Sequence, residues 1–174
     1  MYKLETKYDE NYKEEILAFL KKFYTPSDKK EHLMDKLTKN FLNEKVLNKI
    51  LNEMIKNEED ENYLTYYIKK DKDLVGLVYL FRERYYLTYN AIINVLYFDI
   101  DNIEEKDKLL TKIFNDVIDK WEPFEISFVA DGESEYELLD FNGFKSYPIG
   151  NGKSLMSKEV RERKYVRKRS NSNK

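Results

Sequence analysis

The side chains able to do chemistry in this chain are few in kind, and their types narrow the reactions open to it. There is no cysteine among the 174 residues, which excludes thiolate nucleophiles, disulfides and cysteine-ligated metal. The one histidine, His32, has no second imidazole to share an ion with, so no metal site is expected, and a surface position on a helix beside Leu33 suits it. Carboxylates, lysines and tyrosines remain. Asp101, Glu104, Glu105 and Asp107 crowd one turn, with Lys106 and Lys108 interleaved. Asn102 with Glu105 three residues later has the spacing of a capping box, and acids in a first helical turn stabilise it by about 0.3–1 kcal/mol each without any ligand.

Tyrosine is the other reactive type in excess. Tyr63, Tyr66, Tyr67, Tyr79, Tyr85, Tyr86, Tyr89 and Tyr97 concentrate in the middle of the chain. On a strand, Tyr63 and Tyr67 point one way and Tyr66 the other. One set belongs to the core. The other, with Tyr85 and Tyr86, has two uses open to it: packing, or lining a groove for an amine or a stacked base.

The elements that must position these groups are legible from periodicity. Ile92, Ile93, Val95, Leu96, Tyr97 and Phe98 form the apolar run of a strand buried on both faces. After a polar break at 99–103, Leu109, Leu110, Ile113, Phe114, Val117, Ile118 and Trp121 mark one stripe of a helix over 104–121. A buried strand feeding an amphipathic helix predicts an α/β layer with its ligand at the turn between them. Upstream, the pattern predicts a strand at 2–7 and helices over 9–23, 28–39 and from Asn43, a candidate N-cap, through Ile55. Residues 63–68 and 74–81 read as a hairpin around Lys70-Asp71-Lys72-Asp73, and 82–88 as a charged and aromatic connection with strand at its ends. Downstream come a strand at 125–130, a short helix over 134–141 closed by Asn142-Gly143, and a hairpin of 144–149 with 154–160.

Length and composition fit one domain over 1–160 with its own core: 41% of residues are hydrophobic and 15% aromatic, too many for a disordered chain. Residues 161–174, RERKYVRKRSNSNK, hold seven basic residues and one acid, and are expected to be a disordered basic tail. The net charge of -2 therefore divides into +6 on the tail and -8 on the body. An acidic body offers nucleic acid no broad footprint, so RNA contact is open only to the tail. No run of roughly 18 apolar residues predicts a membrane span, and the N-terminal MYKLE has no apolar signal core. A cytoplasmic location is the corresponding expectation.

This order of elements, with the segment LLDFNGFKSYPI and its Gly143-Phe144 pair, resembles the GNAT-type (GCN5-related) N-acetyltransferase superfamily. The resemblance implies an α/β fold, a mixed and mostly antiparallel sheet flanked by helices, and acetyl-CoA as cosubstrate. It implies transfer of an acetyl group to the amine of a small molecule or protein. The family grips the coenzyme pyrophosphate through an Arg or Gln, two residues, Gly, one residue, Gly or Ala. Those places fall here on Asp101, Glu104 and Lys106, a degenerate version in which acids would repel phosphate. Lys106 and Lys108 are the side chains left to reach a phosphate. Backbone of the central strand, Val95, Leu96, Tyr97 and Phe98, would hold the acyl arm and stabilise the oxyanion. The tyrosine that the family uses to protonate the thiolate falls on Leu139, so Tyr136, one turn earlier, is the substitute. Glu83 is the first candidate base and Asp99 the second. The alternative is a catalytically silent member of the fold that acts as a binding or interaction module.

Overall fold

A computed structural model describes residues 1–25 and 42–160. The helix expected at 28–39, with His32, and the basic tail lie outside the described residues. The elements are β1 (Tyr2–Glu5), a 3-10 turn (Glu10–Tyr12), α1 (Lys13–Tyr24), α2 (Glu44–Lys56), a 3-10 turn (Asn57–Glu59), β2 (Tyr63–Lys70), β3 (Asp73–Tyr85), β4 (Thr88–Phe98), α3 (Ile103–Trp121), β5 (Glu125–Ala130), α4 (Glu133–Phe141), β6 (Lys145–Gly150) and β7 (Lys153–Glu159). The strands form one sheet in the order β1-β2-β3-β4-β5-β7-β6. Every pairing is antiparallel except β4 with β5.

Strand alternation sorts the helices onto the two faces. Tyr66 points to the back, where its hydroxyl donates to Asp116 of α3 at 2.6 Å. Its neighbour Tyr67 points to the front and donates to Glu58, just past α2, at 3.0 Å. Tyr66, Tyr67 and Tyr79 are all buried, so packing claims them. The front is covered by α1, whose Phe19 ring lies 4.7 Å from that of Tyr97, centroid to centroid. The back is covered by α3 through Leu109, Leu110, Ile113, Phe114 and Val117, all buried as the periodicity predicts. Ile118 is only half-buried.

Two caps form where the sequence places them. Asn43 accepts from the Val46 N–H at 3.1 Å, and Asn102 from the Glu105 N–H at 3.0 Å. Helix α4 ends as Asn142-Gly143 predicts: Gly143 has φ +87°, its N–H donates to the Asp140 carbonyl, and the Phe144 N–H donates to that of Leu139.

Residues 82–88 have the strand expected at their ends, and little else. They are the extended end of a hairpin, with β3 running on to Tyr85 and β4 starting at Thr88, and Tyr86 at φ +53° in the turn. Arg82 explains why so polar a stretch stays in the sheet. Its guanidinium donates to Asn62 and Glu61 and lies 4.8 Å from the Tyr89 ring. Tyr86, at the tip, is exposed.

Candidate functional site

The sheet is split. β4 and β5 pair only through Asn90, Ala91 and Ile92, opposite Glu125, Ile126 and Ser127. Toward its C-terminal end β4 has β3 on one side and, among the described residues, no strand on the other. On the β3 side, Tyr79 pairs with Val95 and Leu80 with Ile93, which leaves Asn94 as an extra residue bulged out of the ladder. The bulge puts Ile93 and Val95, both buried, on opposite faces, which is how two sides of the core are filled from one short run.

Beside this end of β4 lies a cleft of about 80 Å³, walled by Leu96, Tyr97 and Phe98 of β4, Lys22 and Phe23 of α1, Lys106 of α3, and Ser134, Glu135 and Leu138 of α4. Phe23 also packs on Phe128 of β5 at 6.4 Å between centroids, spanning the gap from the front. Gly76 lets Phe98 lie flat on β3: a Cβ there would stand 3.1 Å from the Phe98 ring, the Ile68 side chain and the Tyr97 carbonyl.

The start of α3 reaches the cleft through Lys106. Two of its four acids are held by neighbours: Glu105 accepts from the Tyr2 hydroxyl at 2.7 Å, and Asp107 from the Asn142 amide. Asp101 and Glu104 remain exposed at the turn. The Asn102 cap takes the Glu105 N–H, and helix geometry gives the Ile103 and Glu104 N–H groups no intrahelical carbonyl.

Of the residues singled out from sequence, Leu96, Tyr97, Phe98 and Lys106 come together in the cleft. Val95 is buried beneath it, and Lys108 is an exposed residue of α3 outside its wall. Tyr136, 37% exposed, lines a separate hollow of about 340 Å³ with Asp131, Asn151 and Ser154, between the start of α4 and the β6–β7 turn. Leu139 is fully buried. Glu83 sits inside β3 opposite Asn90, not beyond the strand end, and Asn90 in turn faces Glu125. Two carboxylates thus flank an amide whose Oδ1 is buried without a hydrogen-bond partner. That row is six residues from Leu96, about 20 Å along the strand. Asp99 is exposed just past β4, its N–H donating to the Val75 carbonyl at 2.8 Å.

Sequence reasoning passed over Lys22, Phe23 and Glu135. Glu135, 8% exposed, is the one buried carboxylate among the described residues, and it accepts from the Gly132 N–H at 2.8 Å. The signal available was its place three residues after Gly132, the spacing of a cap; its burial in the cleft depends on β4 and was not readable. Among the described residues no group of three or more His, Cys, Asp or Glu side chains could hold a metal, and no helix is long and apolar enough to cross a membrane.

No family model matches the sequence, and no curated protein matches it significantly. Solved structures do. A PaiA N-acetyltransferase from Thermoplasma acidophilum, in complex with coenzyme A, aligns at TM-score 0.67 and 14% identity over 92% of this chain and 99% of its own. An acetyltransferase of the GNAT family from Streptococcus pneumoniae aligns at 0.60 and 14% over 92% and 100%. A spermidine N-acetyltransferase from Vibrio cholerae aligns at 0.60 and 13% over 91% and 93%. Identities this low carry architecture and not reaction. By its split, mostly antiparallel sheet and flanking helices, the chain has the GNAT-like acyl-CoA N-acyltransferase fold.

Proposed function

We propose that the protein is a divergent N-acetyltransferase that moves an acetyl group from acetyl-CoA to an amine. The observation that carries this reading is the parting of β4 from β5 beyond Ile92. It leaves backbone donors and acceptors on the open side of β4 without a strand partner, beside an apolar slot. Such groups suit an extended acyl-pantetheine arm, which offers amides to pair with them, and a fixed N–H there would stabilise the oxyanion of a tetrahedral intermediate. The slot fits the thioester end in character, with Leu96, Phe98, Phe23 and Leu138 as walls and Lys22 and Lys106 as cations for phosphate. At about 80 Å³ it is smaller than an acyl-pantetheine arm, so its walls must part for binding. The coenzyme, when bound, supplies the activated acyl group. The chain orients it against β4, excludes water with its aromatic walls, and manages the protons released.

The test is calorimetric titration with acetyl-CoA at low and moderate salt. Saturable binding tighter than about 100 μM, worth about 5.5 kcal/mol, is the expected result. The affinity should fall with salt if Lys22 and Lys106 meet phosphate. No binding at either salt would overturn the proposal. Spermidine is the first acceptor to try, because one structural neighbour acts on it and the body is acidic. Release of free thiol reads the transfer.

The silent module remains the second reading, favoured by fully buried Leu139 where the family keeps a tyrosine and by a turn at 99–102 without glycine. Coenzyme binding without thiol release from any amine would favour it.

A further inference from the structure

If the cleft holds the thioester, the reaction needs a group that can move a proton, and the residues first considered for that task lie elsewhere. Tyr136 faces the hollow beside the β6–β7 turn, and Glu83 lies about 20 Å along the sheet from Leu96. Glu135 is in the wall itself, with Leu96, Tyr97, Phe98 and Leu138. It precedes Leu139 by four residues, so it shares a helix face with the position at which the family places its acid. Its carboxylate is withdrawn from water, which is costly unless it is bonded; the Gly132 N–H at 2.8 Å supplies a bond, and the positive end of α4 favours the anion. Among the described residues, the other titratable groups in the cleft wall are Lys22 of α1, Lys106 of α3 and Tyr97 of β4. Both lysines favour an ionised neighbour.

We propose that Glu135 is a catalytic residue that carries the proton from the attacking amine to the departing thiolate. This rests on the acetyltransferase reading. The amine nitrogen attacks the thioester carbon, giving an oxyanion and a cationic nitrogen. The Glu135 carboxylate accepts the N–H proton. The C–S bond then breaks as the carbonyl re-forms, and the Glu135 carboxyl returns that proton to the sulfur. The products are an amide and a free thiol, and the carboxylate is restored. No further reactant is needed.

Glu135→Gln separates this role from capping, because a glutamine oxygen can still accept the Gly132 N–H but cannot take a proton. Its thermal unfolding should stay close to that of the parent. Two readouts then test the proposal. The first needs no acceptor: the ultraviolet absorbance of the thiolate is followed as bound coenzyme A is titrated. A carboxylate beside the sulfur disfavours thiolate, so the bound thiol should ionise roughly one pH unit lower in Glu135→Gln than in the parent. The second is turnover with spermidine, which should fall at least about 100-fold in kcat. An unshifted thiol titration overturns the assignment whether or not spermidine is accepted, and so does undiminished turnover. Failure of the parent to bind coenzyme A removes the acetyltransferase reading and this assignment with it. Intact coenzyme binding with an unshifted titration removes this assignment alone.

Discussion

At the scale of single residues, buried hydroxyls and one glycine do more to define the core than any charge pair on the surface. Asp116 is pushed up by burial, but hydrogen bonds from Lys120 and Tyr66 outweigh this and hold its carboxyl below the usual range. A carboxyl depressed on folding adds stability above its unfolded pKa and loses it as pH falls through the folded value. Asp116→Asn should therefore flatten the stability–pH curve below about pH 4, as read by urea melts across pH. Tyr66→Phe keeps the ring and deletes the donor; because Asp116 is partly exposed, the expected loss is about 1–2 kcal/mol in the same melts. Gly76→Ala tests a different limit. Its Cβ would press on Phe98, Ile68 and the Tyr97 carbonyl, so destabilisation of about 1–3 kcal/mol is expected, together with weaker coenzyme binding as Phe98 is displaced toward the cleft. The isolated Gly76 in an apolar strand is visible in sequence as a mark of close approach. Which ring approaches it is not, because the 22 positions to Phe98 are closed only by the β3–β4 register.

At the scale of elements, the helix termini were readable and one strand end was not. Asn43, Asn102 and Gly143 act within a few residues of themselves, so local chemistry suffices to read them. Asn102→Ala should cost about 1 kcal/mol through loss of the α3 cap. Gly143→Ala should cost about 1–2 kcal/mol for a purely conformational reason, since its Cβ would meet nothing closer than the Lys158 ammonium at 4.0 Å. Chemical denaturation of each variant reads these losses. How far strand runs into 82–88 was hidden because the register with β4 and the reach of Arg82 to Asn62 and Glu61, some 20 residues back, decide it. The candidate site was half legible for the same reason. The apolar run 95–98 advertises itself, whereas Lys22, Phe23 and Glu135 become neighbours only when α1 and α4 meet β4 across the split.

At the scale of the whole molecule, the sheet is two leaves, β1 to β4 and β5-β7-β6, joined along the three residues Asn90–Ile92. Protection should differ between them. In hydrogen exchange, amides of the β2–β3–β4 centre, buried under helices on both faces, should exchange slowest, and those of β6, an edge strand with Tyr147 and Ile149 exposed, fastest. Equal protection across both leaves would contradict this division. Mechanically, the parting of β4 and β5 is a crack with its tip at the Ile92–Ser127 pair. A crack in a hydrogen-bonded ladder spreads unless something bridges it, and one bridge here is an aromatic contact, Phe23 on Phe128. Any molecule that lodged in the opening and bonded to both lips would act as a rivet. Under a pulling force that separates the leaves, the filled protein should therefore rupture at higher load than the empty one, with Ile92 and Ser127 the first pair to part in either case.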